Sequence, residues 1–227
     1  MSQPSIAIDG PAGSGKSVIA KALARRLGLL YVDTGAMYRA VTWKAQRLGL
    51  SLDDGARVTA LAEGLDLRLE AEPASPIGYR VLVDGETVTA LLYTPEVDGH
   101  VGRVAAQTAV RRVLAARQRD IGLAGGVVMV GRDIATVVLP EARYKIYLDA
   151  SLEERARRRL ADLLHKGEAV NFDTVLAQMR ERDKLDMGRD EGPLQCVVGA
   201  MRVDTTHATV DETLESILRL MENATPG

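Results

Sequence analysis

The segment Gly10-Pro11-Ala12-Gly13-Ser14-Gly15-Lys16-Ser17 constrains the fold of this chain more than any other feature. It matches the pattern G-x-x-x-x-G-K-[S/T], in which a glycine-rich loop joins a strand to a helix. The preceding run Ser5-Ile6-Ala7-Ile8 is apolar enough for a short buried strand, and Val18, Leu23 and Leu27 follow with helical spacing. Strand, loop and helix in this order predict a parallel α/β sheet whose first turn binds phosphate.

The chemistry of this loop predicts a donor-nucleotide site. Glycine adopts backbone angles closed to other residues, so successive N–H groups can face a phosphate while the helix N-terminus adds partial positive charge. Lys16 is expected to reach the β- and γ-phosphate oxygens, and the Ser17 hydroxyl to bind Mg²⁺. The predicted ATP-binding residues are Gly10, Pro11, Ala12, Gly13, Ser14, Gly15, Lys16, Ser17 and Val18.

The rest of the chain alternates predicted strands and helices. Apolar runs predict strands at 29–32, 127–130, 144–148 and 201–203, and helical spacing predicts a helix at 36–48. We therefore expect a doubly wound parallel sheet with helices on both faces. The segment 66–92 interrupts this pattern with the alternation of a β-hairpin insert, with strands at 67–69, 79–83 and 86–91 around the turn Asp84-Gly85.

A second interruption, at 151–190, is helical and rich in charge. It begins with Ser151 and Glu154 in the spacing of a capping box, and Thr209 and Glu212 repeat that spacing before a final helix to about residue 223. Nine Lys and Arg residues in 151–190 are balanced by nine Asp and Glu, which favours a salt-bridged lid over a nucleic-acid-binding arm. We predict a single domain with a core at 1–60, 105–150 and 195–227, an insert at about 61–104 and a lid at about 151–190.

Composition narrows the partners of the chain. Its formal net charge of −2 creates no field that attracts nucleic acid or an anionic membrane, and 46% apolar residues can build a core. The first residues lack a basic and apolar leader, and no apolar run approaches the roughly 20 residues that span a bilayer. We expect a soluble cytoplasmic protein whose single cysteine, Cys196, is a core thiol.

Several classes of P-loop protein do not fit. Switch GTPases read guanine with Asn-Lys-x-Asp, and the dipeptide Asn-Lys is absent from the sequence. Motor and helicase ATPases use larger domains and further motifs, which 227 residues do not show. A kinase for a small molecule remains.

Motifs after the predicted strands narrow the choice of kinase. Asp33-Thr34-Gly35-Ala36-Met37-Tyr38-Arg39-Ala40 and Gly131-Arg132-Asp133-Ile134 each follow a strand, at the sheet edge where open α/β folds bind ligands. Arg182, Asp186 and Arg189 follow in the predicted lid. These motifs, in this order over essentially the whole chain, make the sequence similar to the bacterial-type cytidylate kinases, which are P-loop nucleoside monophosphate kinases.

The resemblance implies ATP-dependent phosphorylation of CMP and dCMP to CDP and dCDP by direct in-line transfer in a monomer, with Mg²⁺ and without nucleic-acid or membrane partners. By resemblance, the acceptor phosphate contacts Thr34, Arg39 and Arg132, the ribose contacts Arg182 and Asp186, and the base contacts Arg111, Asp133 and Arg189. The catalytic residues implied are Lys16, Arg132, Arg155 and Arg159. For Arg155 and Arg159, exposed surface charges are an equally good interpretation.

Elementary chemistry agrees with these roles. Arg182, Asp186 and Arg189 are spaced i, i+4, i+7 and share one helical face if that helix is continuous, although the same spacing suits an ordinary surface pair. Asp133 can accept a hydrogen bond from the cytosine amino group, whereas the carbonyl of uracil would meet lone-pair repulsion. We expect Met37 and Tyr38 to pack a helix against the sheet.

Three positions depart from the family pattern. Gly102 stands where a serine usually contacts the base, and Ala135 replaces a common glycine. Val130 occupies a usually acidic or polar position, so the carboxylate that orders water around Mg²⁺ would have to be replaced by Ser17, ATP oxygens, Asp33 or Asp9.

Two alternatives remain open from the sequence. The first is a kinase for another small acceptor, such as UMP, AMP or a shikimate-like molecule. The second is a regulator that binds ATP without turnover. The three histidines, His100, His165 and His207, lack metal-ligand spacing.

Overall fold

The computed structural model describes residues 3–72, 75, 77–165 and 167–224. Its main sheet consists of β1 Ser5–Asp9, β2 Leu30–Asp33, β6 Val127–Val130, β7 Tyr144–Asp149 and β8 Met201–Asp204. The spatial order is β2-β6-β1-β7-β8, and every neighbouring pair is parallel. The predicted α/β class is confirmed, and each predicted strand of this sheet begins and ends within one residue of the observed strand.

Helices cover both faces because apolar side chains alternate along the strands. In β1, Ile6 and Ile8 belong to the larger core cluster, whereas Ala7 belongs to a second cluster on the other face. The helices of the core are α1 Lys16–Leu27, α2 Thr34–Arg47, α5 Thr108–Leu123 and α8 Val210–Asn223. As expected, Met37 and Tyr38 of α2 are buried in the larger core.

The predicted insert, together with the residues just before it, contains two further helices and a small antiparallel sheet. These elements are α3 Gly55–Gly64, β3 Leu67–Ala71, β4 Tyr79–Val83, β5 Glu86–Thr87 and α4 Pro95–Ala105, with strand order β3-β4-β5. Residues 73, 74 and 76 of the predicted hairpin lie outside the described residues.

The prediction of a strand at 86–91 was wrong beyond its second residue. After β5 the chain forms a 3₁₀ turn, Thr89–Tyr93. The Thr89 hydroxyl accepts the Val81 N–H at 2.8 Å, where a continuing antiparallel strand would supply a carbonyl. A side chain thus replaces the backbone ladder, and the strand ends there.

The predicted lid contains two helices, α6 Leu152–His165 and α7 Phe172–Met187, with a small apolar cluster between them that includes Ala156, Val175 and Met179. The Ser151 hydroxyl accepts the Glu154 N–H at 3.2 Å, which is half of the predicted capping box. The predicted box at Thr209 and Glu212 is complete. Residue 166 of the predicted lid lies outside the described residues, as do 1, 2 and 225–227.

Two expectations about the segment after the lid require correction. The helix that carries Arg182 and Asp186 ends at Met187, so Arg189 lies beyond it and the three residues do not share one continuous helical face. Cys196 is exposed, and the expectation of a core thiol was wrong, because Leu194 is the buried apolar residue of this loop. None of the helices in the described ranges combines the length and apolarity that crossing a membrane requires.

Candidate active site

The glycine-rich loop connects β1 to α1 at the carboxyl edge of the sheet. Gly10 has φ 149°, and a Cβ atom at this position would overlap the carbonyl oxygen of Leu148 in β7. Only glycine lets the loop pass this close to the neighbouring strand. The loop then ends at Gly15, where α1 begins without a side-chain cap from any described residue. The N–H groups at this helix N-terminus are therefore available to an anion.

Side chains bind the carbonyl groups of five successive loop residues. The donors are Arg132 to Gly10 at 2.9 Å, Lys16 to Pro11 at 2.7 Å, Arg155 to Ala12 at 3.1 Å, Arg158 to Gly13 at 3.4 Å and Thr205 to Ser14 at 3.1 Å. Because these carbonyl groups are bound by side chains, the polar groups that the loop can offer a ligand are mainly backbone N–H donors, apart from the Ser14 N–H, which donates to the Pro11 carbonyl at 3.4 Å. The sequence did not predict Arg158 or Thr205 at this site.

Lys16 is buried, with its ammonium group inside the loop. Burial and the neighbouring Arg132 hold its pKa well below the ordinary value, while Asp9 opposes this shift. A ligand with several negative charges would offset both the burial of the ammonium group and its repulsion by Arg132. Such surroundings are expected for a lysine that binds phosphates.

Asp9, the last residue of β1, links the glycine-rich loop to the segment after β6. Its two carboxylate oxygens accept the Ile134 N–H at 2.9 Å and the Ala135 N–H at 2.7 Å, at the start of a π-helical turn, Ile134–Val138. Burial raises the pKa of Asp9 to about 6, against the effect of these two bonds. Asp9 thereby fixes the segment that carries Arg132 and Asp133 relative to the loop.

Three predicted acceptor residues form one cluster. Asp186 is buried and accepts a hydrogen bond from Arg132 Nε at 2.8 Å and from Arg189 Nη2 at 2.5 Å. Although burial acts in the opposite direction, these two guanidinium groups hold the pKa of Asp186 below its ordinary value. The cluster joins the segment after β6 to the end of α7, so it connects the core to the lid.

Arg111 and Asp133 form a buried ion pair beside this cluster. The Arg111 guanidinium lies 6.0 Å from the centre of the Tyr38 ring, so α2 and α5 both position it. Burial raises the pKa of Asp133 although Arg111 and Arg189 oppose the shift. The pair presents one acceptor and one donor group, as the reading of a cytosine edge requires.

The remaining phosphate-contact candidates lie at the start of α2. Thr34 Oγ1 donates to the Val130 carbonyl at 2.7 Å, which ties α2 to the end of β6. Arg39 forms an ion pair with Asp98 of α4 at 2.9 Å and lies over the Tyr93 ring at 5.2 Å. The insert therefore contacts the site through α4 and the 3₁₀ turn.

The predicted lid arginines differ from one another. Arg155 is buried, and besides Ala12 it binds the Ala150 carbonyl at 3.0 Å and Asp183 of α7 at 2.7 Å. Arg159 and Arg182 are exposed. The pKa of Arg182 lies below its ordinary value because of partial desolvation and the nearby guanidinium groups of Arg132, Arg39 and Arg159. Asp186 opposes this shift, and Arg132 and Arg39 have the carboxylate partners Asp186 and Asp98. Four guanidinium groups thus converge between the predicted lid and the loop, which suits a polyanionic ligand.

Comparisons with known proteins are consistent with this geometry. The sequence profile of the cytidylate kinase family matches residues 6–223. The cytidylate kinase of Caldanaerobacter subterraneus subsp. tengcongensis is 46% identical over 98% of this chain and 96% of the relative. The cytidylate kinase of Bacillus licheniformis is 44% identical over 96% of this chain and 95% of the relative. An uncharacterized protein from Eubacterium ventriosum shares the fold alone, with a TM-score of 0.53 and 15% identity over 98% of this chain and 100% of that structure.

Proposed function

The chain belongs to the cytidylate kinase family, and on that premise we propose that it transfers the γ-phosphoryl group of ATP to CMP and dCMP, giving ADP and CDP or dCDP. One observation carries the assignment of the acceptor site. The buried Arg111–Asp133 pair and the Arg132–Asp186–Arg189 cluster lie side by side at the carboxyl edge of the sheet, next to the glycine-rich loop. These charged groups can bind a phosphate, a sugar and a base that carries an amino group, all within one site.

The donor side would bind ATP with its Mg²⁺ as a combined substrate. The N–H groups of the loop and Lys16 face the β- and γ-phosphates in this proposal. Ser17 is exposed in the first turn of α1, directly after Lys16, so its hydroxyl is a single candidate ligand. Within the described ranges, no group of three or more His, Cys, Asp or Glu side chains could hold a metal ion. ATP oxygens and water would therefore supply most of the coordination of Mg²⁺.

Asp9 and Asp33 were the two candidates for replacing the carboxylate missing at Val130. Both oxygens of Asp9 are bound to backbone N–H groups and the side chain is buried, so it fits this role poorly. Asp33 is half-buried and accepts the Gly35 N–H at 2.9 Å through one oxygen. We propose that Asp33 orders water near Mg²⁺.

On the acceptor side, the arginines would bind the anionic parts of CMP. Thr34, Arg39 and Arg132 would bind its phosphate, and Arg182 and Asp186 its ribose. Asp133 would accept from the cytosine amino group while Arg111 and Arg189 donate to the ring nitrogen and carbonyl oxygen. UMP has a carbonyl in place of the amino group, so Asp133 would repel it.

Transfer would proceed by direct displacement. A phosphate oxygen of CMP forms a bond to the γ-phosphorus while the bond to the β,γ-bridging oxygen of ATP breaks and ADP leaves. The acceptor is already anionic, so no general base is required. Lys16 and Arg132, with Arg159 and Arg182 from the lid, would stabilise the charge on the transferred group. Closure of the lid would exclude water, which otherwise competes as an acceptor.

A monomeric state and a cytoplasmic location complete the proposal. ATP and CMP are the substrates, and the net charge of −2 gives no reason to add a nucleic-acid or membrane partner.

A coupled ADP-release assay with CMP, dCMP, UMP, AMP and GMP tests the proposed function. We expect the largest kcat/KM for CMP and dCMP and a clearly smaller value for UMP. Lys16→Ala serves as the control for the donor site, because it should abolish turnover while CMP still binds. Comparable kcat/KM for AMP or GMP would refute the cytosine assignment, and ATP binding without transfer to any acceptor would identify a regulator instead.

A further inference from the structure

Residues 188–194, called the strap here, lead from the end of α7 across the candidate base site. The strap is fixed at several points. Arg189 bonds to Asp186, and the Leu194 N–H donates to the Asp186 carbonyl at 2.9 Å. Glu191 pairs with Arg112 of α5, whose Nε lies 3.1 Å from Oε2 of Glu191. The strap is therefore held against both α7 and α5.

At its centre, Gly192 lies directly against the Arg111–Asp133 pair. Gly192 is buried and has φ 63°, in the left-handed region. A Cβ atom at this position would overlap Oδ2 of Asp133 and lie 2.9 Å from Nη2 of Arg111 and 3.1 Å from Cβ of Asp133. The absence of a side chain at position 192 allows the carboxylate and the guanidinium to occupy their observed positions.

We propose that Gly192 is a positioning residue for the base-reading pair and so determines selectivity for cytosine over uracil. The inference rests on the proposed function, in which Asp133 accepts from the cytosine amino group. The Asp133 side chain is short, so a Cβ at 192 cannot be accommodated without moving the carboxylate. Hydrogen bonds weaken steeply when distance or angle departs from the optimum, and a displaced carboxylate would lose its discrimination between an amino group and a carbonyl.

Gly199 provides a matched control in the same connection between α7 and β8. It also has a left-handed backbone, with φ 80°, but it is exposed. A Cβ atom there would have no heavy atom of the described chain within 4 Å, its sequence neighbours aside. Gly192→Ala and Gly199→Ala therefore both place alanine in a strained left-handed backbone conformation, but only Gly192→Ala brings a Cβ atom against the ion pair.

The experiment compares Gly192→Ala and Gly199→Ala with the unsubstituted chain in kcat/KM for CMP and UMP and in KM for ATP. We expect Gly192→Ala to lower kcat/KM for CMP about tenfold or more, as for loss of a hydrogen bond to a charged group, and to lower the CMP/UMP ratio. The KM for ATP should change less than about twofold, and Gly199→Ala should leave all three quantities within about twofold. An unchanged CMP/UMP ratio in Gly192→Ala would overturn the inference.

Asp133→Ala tests whether the effect passes through the carboxylate. In that background the overlap with Oδ2 is removed, and the remaining close atoms are Nη2 at the end of the Arg111 side chain, at 2.9 Å, and Cβ of residue 133, at 3.1 Å. Adding Gly192→Ala should therefore lower kcat/KM for CMP much less than it does in the unsubstituted chain. If Gly192→Ala lowers kcat/KM for CMP as much in the Asp133→Ala background as in the unsubstituted chain, the inference is overturned, because the strap would then act on a group other than the carboxylate. Because Asp133→Ala itself lowers stability, folding is compared within that background. A loss of unfolding free energy from Gly192→Ala equal to the loss from Gly199→Ala supports the contact with the carboxylate, and a much larger loss rejects the positioning role.

The same assays separate this inference from the proposed function. If the unsubstituted chain and Gly199→Ala both fail to prefer CMP to UMP, the proposed function fails. If both prefer CMP and Gly192→Ala prefers it equally, only the inference about Gly192 fails.

Discussion

Arg132 and Asp186 form an ion pair, Nε to Oδ2 at 2.8 Å, that joins the segment after β6 to the last turn of α7. The same carboxylate accepts a hydrogen bond from Arg189, and Arg132 also donates to the Gly10 carbonyl at 2.9 Å. A residue predicted to bind ribose therefore also positions the arginine predicted to bind phosphate. One aspartate connects the lid, the acceptor site and the donor loop.

Asp186→Ala should impair both binding and turnover of CMP. Loss of the carboxylate removes the partner of Arg132 and Arg189 together, so we expect KM for CMP to rise about tenfold or more and kcat to fall, with little change in KM for ATP. Steady-state kinetics with each substrate varied measures this. Glu181→Ala is the matched control, since Glu181 lies on the same helix and pairs with Lys184 at 3.9 Å with both side chains exposed. Equal effects of the two substitutions would contradict the prediction.

Asp9 should make stability fall as pH rises. Its pKa in the folded chain is raised to about 6 from 3.8, so the folded state holds the proton over a range in which the unfolded state has lost it. The stability contributed by the neutral form is present below pH 4 and is lost as pH rises through 6, a change of about 3 kcal/mol for a shift of this size.

Urea denaturation at several pH values compares the unsubstituted chain with Asp9→Asn, which carries no charge at any of them. The unfolding free energy of the chain relative to that of Asp9→Asn should decrease by about 2 kcal/mol between pH 4 and pH 7, which is most of the full change. Asp133 and Lys16 are the charged groups that act on Asp9, so they are kept unchanged in both proteins. A difference that is constant or that increases with pH would contradict the prediction.

Substitution of Arg155 should lower stability, whereas substitution of Arg159 should lower the rate of phosphoryl transfer. Arg155 is buried and binds Asp183 together with the carbonyls of Ala12 and Ala150, so Arg155→Ala leaves a half-buried carboxylate and two carbonyl groups without this donor and should destabilise the fold by about 3 kcal/mol. Arg159 is exposed, so Arg159→Ala should leave the melting temperature nearly unchanged and lower kcat. Thermal unfolding and single-turnover rates of both variants check this. If Arg155→Ala lowers kcat while its melting temperature is unchanged, Arg155 has a catalytic role and the prediction is wrong.

Asp133→Ala should lower both selectivity and stability. Removing the carboxylate takes away the proposed acceptor for the cytosine amino group, so the CMP/UMP ratio of kcat/KM should decrease. Arg111 would be left as a buried unpaired charge, at a cost of about 3–5 kcal/mol. Kinetics and melting temperature are recorded on the same samples. A large drop in melting temperature with an unchanged ratio would assign Asp133 to structure alone.

The sequence predicted most of the fold because its signals are local. The glycine-rich loop, the strands and the lid helices are each encoded within a few residues, and the predicted family is confirmed by the profile match over 6–223. The contacts that assemble the site are long-range. Asp9 and Ile134 are 125 positions apart and Arg158 and Gly13 are 145 apart, and no local pattern relates either pair. The same limit explains Cys196, whose exposure depends on how the connection to β8 packs.

Gly102→Ser should strengthen CMP binding a few-fold. Gly102 lies in α4 one turn after Asp98, which binds Arg39, so both residues are on the face of the helix near the acceptor site. Its backbone is helical, and apart from α4 itself no described heavy atom lies within 4 Å of a Cβ placed there. A serine hydroxyl therefore has room to reach the base, and a hydrogen bond is worth about 1 kcal/mol.

Isothermal titration of CMP into both proteins measures the effect. Serine also has a higher helix propensity than glycine, so the melting temperature should rise slightly, and a loss of affinity could not be attributed to unfolding.

Glycine at position 99 of the same helix gives the control, because a Cβ atom there is equally unobstructed by the described residues. Position 99 lies about 60° from Gly102 around the helix axis and about 100° from Asp98, by helix geometry. Gly99→Ser should therefore match the rise in stability without the gain in affinity. If Gly102→Ser weakens CMP binding at preserved stability, position 102 does not face the base, and the base contacts between Arg103 and Arg111 must be reassigned.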